Sequence, residues 1–253
     1  MKRSGKKALA VILVLIITAA VCICLVVLKQ WNINRYFVWK YPLRGVDVSH
    51  YQGKISWEAL KAQGIDFAYI KATEGSEHED ERFRENWQEA GESKMLAGAY
   101  HFFSFDSSGG AQAEWYIRTV GDLDGKLCPA VDVEYYGGKE MNPPDRDETV
   151  RQLRQCLETL EGHYGKKPVI YTTYKVYRRY IEENFGDYPL WIRNVYYPPW
   201  DLGEDWQFWQ YMDTAVLEGY EGAEPCIDLD VFAGTEAELK EYLIDNKERG
   251  ECL

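Results

Sequence analysis

The sequence predicts an α/β fold, a modified TIM-like barrel of five strand-helix units followed by three strands and preceded by one transmembrane helix. Three observations carry this expectation. Eight short apolar runs recur between residues 45 and 232, amphipathic helical stretches fill the first five gaps between them, and an uncharged run of 21 residues stands apart near the N-terminus. Parallel strands joined by helices form a sheet buried on both faces. Eight of them suggest closure into a barrel, for which about 250 residues is a usual length.

Taken in order, Lys2, Arg3, Lys6 and Lys7 precede the uncharged run 8–28, which is long enough to cross a bilayer core as a helix. No small-x-small cleavage site separates this run from Lys29-Gln30-Trp31, as a removable signal peptide would require. The expectation is a basic cytoplasmic tail (1–7), an uncleaved anchor (8–28), a short aromatic spacer (29–43) and one domain (44–253) on the outer side of the cell membrane. Cleavage near Ala19 or Ala20 is the alternative. A lipoprotein reading is weaker, because Val21 precedes Cys22 where a small residue is expected.

Strands are expected at 45–49, 67–73, 96–103, 130–134, 169–172, 190–194, 207–211 and 227–232. In the first gap, Ser56 is placed to cap a helix opening at Trp57. Helices follow at 80–92, at 110–120 with Ala113, Tyr116, Ile117 and Val120 on one stripe, at 147–162 with Val150, Leu153, Leu157 and Leu160 at helical spacing, and at 175–184. Later gaps are short and carry Pro198-Pro199 and Gly203, which leaves room for no full helix. Residues 235–245 are expected to close the fold as an amphipathic helix.

Charge narrows the function. All 41 Asp and Glu lie beyond Gln30, together with 24 of the 29 Lys and Arg, so residues 31–253 carry a net charge of −17. A net charge of that sign argues against binding nucleic acid or anionic lipid through bulk charge. Of six cysteines, Cys22 and Cys24 lie in the apolar run, and Cys128, Cys156, Cys226 and Cys252 lack the spacing of a zinc site. Outside the membrane those four are open to disulfide pairing or to remaining as thiols. No metal or cofactor is expected, since no phosphate-binding loop, G-x-S-x-G or H-E-x-x-H occurs.

The chemistry lies in carboxylates. In Ala130-Val131-Asp132-Val133-Glu134 the acids alternate with valines, and strand side chains alternate faces, so Asp132 and Glu134 point the same way. Burying two carboxylates side by side is costly and calls for a catalytic reason. Active residues of such barrels sit at the C-terminal ends of strands. Asp47 ends the first strand and Asp228 lies in the last, its neighbour in a closed barrel, so four acids share one mouth. Clustered carboxylates without a metal motif point to glycoside hydrolysis. Beside a 2-acetamido sugar, an Asp-x-Glu pair divides into an acetamido-orienting Asp, expected to stay ionised, and an acidic Glu whose pKa its acidic neighbours are expected to raise.

Gly45-Val46-Asp47-Val48-Ser49-His50-Tyr51-Gln52-Gly53, Phe67-Ala68-Tyr69-Ile70-Lys71-Ala72-Thr73-Glu74-Gly75, Gly98-Ala99-Tyr100-His101-Phe102-Phe103, Asp132-Val133-Glu134, Pro189-Leu190-Trp191-Ile192, Trp209-Gln210-Tyr211 and Ile227-Asp228-Leu229-Asp230 resemble glycoside hydrolase family 25, the N-acetylmuramidases. The resemblance runs from about residue 45 to 234. It implies a flattened barrel that cleaves the β-1,4 bond between N-acetylmuramic acid and N-acetylglucosamine of peptidoglycan glycan strands. It further implies Glu134 as general acid, Asp132 as the partner of the acetamido group, Asp47 and Asp228 as shaping groups, and Tyr100, Tyr171, Trp191, Gln210, Lys71 and Glu74 near the substrate groove. Whether the second carboxylate acts as nucleophile, base or helper of the acetamido group stays open. Three positions depart from the family pattern: Asp230 stands where Asn is usual, His78 replaces a tyrosine, and Arg193-Asn194 replaces a small residue and an aromatic.

The alternatives are a chitinase-like N-acetylhexosaminidase using the same pair and a silent wall-binding scaffold. The catalytic domain is expected to be monomeric. An anchored domain on a spacer of about 15 residues reaches roughly 50 Å at full extension, so local wall remodelling is expected rather than bulk lysis.

Overall fold

The computed structural model describes residues 2–203 and 205–246. Helix α1 (Lys2–Val27) contains a segment, Lys7–Val27, long and apolar enough to cross a membrane and not packed against the rest of the chain. Strand β1 (Arg44–Val48) opens the barrel and leads into α2 (Trp57–Ala62), β2 (Phe67–Glu74), the two-residue β3 (His78–Glu79) and α3 (Phe83–Glu92). Next come β4 (Leu96–Phe102), α4 (Gly109–Val120), β5 (Ala130–Val133), α5 (Arg146–Tyr164), β6 (Val169–Thr173) and α6 (Tyr174–Val176). The chain then runs through β7 (Leu190–Arg193), β8 (Phe208–Ala215), β9 (Ile227–Phe232) and α7 (Glu236–Lys240).

Eight of these strands close in the order β1-β9-β8-β7-β6-β5-β4-β2, with β1 and β2 completing the ring and β3 appended to β2. From β1 to β8 neighbours are parallel, but β9 runs antiparallel to both β8 and β1. Spacing does not encode that reversal. The link from β8 to β9 has no helix to carry the chain back across the sheet, and without a crossover the next strand pairs antiparallel.

Local signals place the helices. Ser56, Ser108 and Asp145 accept from the third backbone N–H beyond them, and Gly165 ends α5 in the left-handed conformation (φ 74°) that a glycine adopts freely. Two expected helices are shorter than their patterns. The 175–184 stretch breaks into α6 and a π turn at Tyr177–Ile181. The closing helix stops at Lys240, and Leu243 and Ile244 bridge instead to Leu127 and Asp124.

The barrel interior is a stack of rings. Phe208 packs against Phe67, Trp191 and Phe232, and Tyr69 packs on Trp191 at 5.1 Å between centroids. Small residues opposite these rings make the room: a Cβ at Gly45 would lie 2.2 Å from Phe67 Cε2, and one at Gly98 2.3 Å from Tyr69 Cε1. The helices cover the outside, with Leu153, Leu157 and Leu160 of α5 fully buried.

Residues 32–41 are not a free spacer. Asn34 is fully buried and donates to the carbonyls of Asn194 and Tyr211, and Asn32 also donates to Tyr211. Val38 joins a second apolar cluster with Ile192, Trp209 and Val231, while Tyr41 packs edge-on against Trp206. The segment lies against the barrel, so the fully extended reach of about 50 Å is not available to it. Cys128 and Cys156 are buried, their thiols pushed up to about 12 by burial, and with Cys226 they are unbonded. Cys252 lies outside the described residues.

Candidate active site

The antiparallel turn of β9 decides where Asp228 sits. As the second residue of its strand it comes to the same end as the C-terminal ends of the parallel strands, where it pairs in register with Asp47 of β1. Across the barrel, Asp132 of β5 is in register with Tyr171 of β6, which is in register with Trp191 of β7. Asp47, Tyr100, Asp132, Tyr171 and Trp191 line one pit of about 10 Å³, room for about one water. Two clefts of about 620 Å³ each lie elsewhere, lined by residues such as Gln207 and Tyr242. Neither contains any of the four predicted acids.

Gln210 of β8 joins the two sides of the mouth. Its Nε2 donates to Asp47 Oδ2 (2.8 Å) and Asp228 Oδ2 (3.1 Å), and its Oε1 accepts from the Tyr171 hydroxyl (3.1 Å). Trp191 Nε1 donates to Asp230 Oδ1 (2.8 Å). Lys71 of β2 is in register with Tyr100 and ion-pairs with Glu74 at 2.7 Å. All ten side chains expected at the groove thus lie on strands that meet at the mouth or directly follow one, Glu134 being the residue after β5.

Crowded, buried acids hold protons. Burial, opposed by hydrogen bonds from Gln210 and Asp230, raises Asp47 to about 6. Burial and then the charge of Asp47 raise Asp228 to about 9. Asp132 is pushed well up by burial first and the charge of Glu134 second. Glu134 is raised by burial against the pull of Arg193. Burial therefore leads at both members of the pair, ahead of the acidic neighbours that the sequence singles out. Asp132 is the more enclosed, so burial pushes it toward its neutral form, against the expectation that it stays ionised.

Two of the positions that depart from the family pattern, Arg193 and Asp230, lie at the site. Arg193, the last residue of β7, is the cation whose field lowers Asp47, Asp132, Glu134 and Asp228 together, and it is held by Asp213 at 2.6 Å. Its electrostatic role is not read from the sequence, where its position at a strand end is the signal for it. Asp230 is fully buried, next to Asp47 and Asp228, and is pushed well up by burial and then by their charges. Among the described residues no cluster of three His, Cys, Asp or Glu is arranged for a metal ion.

A barrel with an acid at the end of its fourth ring strand, a second carboxyl buried beside it and aromatic walls around both defines a glycoside hydrolase of the lysozyme type. Relatives agree. The profile of glycosyl hydrolases family 25 matches residues 46–220. The solved structure of a family 25 glycosyl hydrolase from Bacillus anthracis superposes with a TM-score of 0.76 at 46% identity, covering 81% of this chain and 94% of that one. Lysozyme M1 of Streptomyces globisporus is 33% identical over 78% of this chain and 70% of its own length. The protein YegX of Escherichia coli O157:H7 is 36% identical over 82% and 76%. The chain belongs to glycosyl hydrolases family 25, and it is a peptidoglycan-directed glycoside hydrolase.

Proposed function

We propose that the chain cleaves the β-1,4 bond between N-acetylmuramic acid and N-acetylglucosamine, from a membrane anchor formed by the apolar helix and with the barrel facing the cell wall. The observation that carries the chemistry is Asp132 Oδ1, a buried carboxyl oxygen with no hydrogen-bond partner, in the pit walled by Tyr100, Tyr171 and Trp191. A buried polar atom left unpaired costs about 1–3 kcal/mol, and an acetamido N–H supplies the missing donor.

In this reading Glu134 gives its proton to the glycosidic oxygen as the C1–O bond breaks. The acetamido carbonyl oxygen attacks C1 from the opposite side, forming a cyclic oxazolinium, while its N–H rests on Asp132. Positive charge developing on that ring favours the ionised form of Asp132, against the burial that favours the neutral form. Glu134 then takes a proton from the water that opens the ring, which restores the acid. Gln210 holds Asp47 and Asp228 in place, and Arg193 keeps the summed charge of the acids in check.

Anchoring confines the activity to the wall next to the membrane, which suits local remodelling. Mass spectrometry of products from purified peptidoglycan is the test. Fragments ending in reducing N-acetylmuramic acid support the proposal, and fragments ending in reducing N-acetylglucosamine overturn it.

A further inference from the structure

Aromatic side chains that ordinarily pack inside stand in solvent on one side of this domain. Trp39 is 79% exposed and Trp200 64%, with Tyr36, Tyr196 and Tyr197 exposed beside them. Two contacts tie the chain just beyond α1 to the connection between β7 and β8 that carries Tyr196 and Trp200: Phe37 meets Trp200 edge-on at 5.4 Å, and Lys29 Nζ lies 6.0 Å from the Tyr196 ring. Next to these contacts opens a cavity of about 530 Å³ whose lining includes Lys29, Arg35 and Arg44 and an apolar wall of Val38, Met212 and Leu229. No carboxylate lines the cavity, and among the described residues Arg35 and Arg44 form no ion pair. On a domain with a net charge of −17, the two guanidinium groups are a local excess of positive charge, although Lys29 is paired with Asp213 and the Arg44 backbone N–H donates to Asp66 Oδ2 at 2.9 Å.

Exposed Trp and Tyr settle at the headgroup level of a bilayer, and basic side chains there meet lipid phosphates. A sugar-binding platform also uses exposed rings, but it has no need of a carboxylate-free basic cavity, nor of continuity with the end of an apolar helix. We propose that this face, built from residues 35–44 and 196–200, lies on the outer surface of the membrane and takes the phosphate of an anionic lipid headgroup between Arg35 and Arg44. The inference rests on the anchoring proposed above. It has a consequence for the substrate. Asp213 Oδ2 accepts from both Lys29, on the membrane-facing patch, and Arg193, at the catalytic mouth. The mouth therefore opens within about two long side chains of the lipid, and the glycan it meets is the layer of wall nearest the membrane.

The test uses the full chain in nanodiscs of phosphatidylcholine with or without phosphatidylglycerol, with amide hydrogen exchange followed over residues 31–44 and 194–203. Slower exchange in the anionic discs is expected. Arg35→Gln with Arg44→Gln should lose that difference, Trp39→Ala with Trp200→Ala should lose protection in both lipids, and both double variants should hydrolyse isolated peptidoglycan in detergent at the parent rate. Equal exchange in the two lipids overturns the proposal. The same protection given by inorganic phosphate in detergent also overturns it, by marking a soluble-anion site. Loss of sedimentation with insoluble peptidoglycan in the tryptophan variant overturns it in favour of a glycan subsite. A chain that fails to stay in the disc is a separate result, which removes the anchor reading and this one with it.

Discussion

At the scale of residues, the site depends on which carboxyl holds a proton. Glu134→Gln keeps the shape of the acid and removes its proton, so release of reducing ends from purified wall should fall by about 10²–10⁴-fold with the thermal midpoint unchanged; activity near the parent level would remove Glu134 from its role. Asp228 gives an independent check through stability. Unfolded, it loses its proton near 3.8, whereas folded it keeps it to about 9. The folded chain binds the extra proton between those values, so the stability contributed is complete below about pH 3.8 and is lost as pH rises to 9. Asp228→Asn should therefore flatten the decline in thermal midpoint between pH 5 and 9, by at most about 1.4 kcal/mol per pH unit, and calorimetry at the two ends measures it. Parallel curves would show that Asp228 is not held protonated. The meeting of Asp47 and Asp228 was legible because the first and last strands of a closed barrel are neighbours, and the pairing of Asp132 with Glu134 because alternation in a strand assigns faces without any knowledge of the fold. The protonation of Asp132 was not, because it depends on how completely the barrel encloses one acid relative to the other two residues on.

At the scale of elements, what the strands leave out matters as much as what they carry. Gly98 faces Tyr69 across the β2–β4 pairing, and a methyl group there would sit 2.3 Å from the ring and 3.0 Å from Leu127 Cβ. The ring has nowhere to go, since Trp191 and Phe208 pack against it. Gly98→Ala should cost about 1–3 kcal/mol through overpacking, seen as a lower urea midpoint. It should also lower turnover, because displacing Tyr69 moves Trp191, which donates to Asp230 beside Asp47. An unchanged midpoint would mean that the interior is looser than the ring stack implies. Hydrophobic runs located all eight ring strands, since burial on both faces leaves a continuous apolar signature. Direction was invisible: Ile227-Asp228-Leu229-Asp230 reads the same whichever way β9 enters, and only pairing shows that its first residues lie at the mouth. The two shortened helices were over-read for a related reason. Residues 175–184 and 235–245 have helical spacing, but tertiary bonds compete for their backbone, as Leu243 and Ile244 show by pairing with Leu127 and Asp124.

At the scale of the whole molecule, the segment between helix and barrel belongs to the fold. Composition alone made it a spacer, because a short aromatic stretch without periodicity carries no signal of what it packs on. In the folded chain Val38 fills the second apolar cluster, and Asn32 and Asn34 both donate to the Tyr211 carbonyl. A fragment beginning at residue 44 uncovers that cluster and leaves the carbonyl without those donors. Burial of one Val contributes about 1.5–3 kcal/mol and each hydrogen bond exchanged for water about 0.5–1.5 kcal/mol, so such a fragment should melt on the order of 10 °C below one beginning at residue 29. The longer fragment should match the full chain in detergent both in thermal midpoint and in hydrolysis of isolated wall. Equal midpoints for the two fragments would return residues 29–43 to the status of a tether. If the difference appears, the barrel cannot swing relative to α1 without first giving up part of its own core, and under the anchoring proposed above the direction in which the catalytic mouth faces the wall is set by folding.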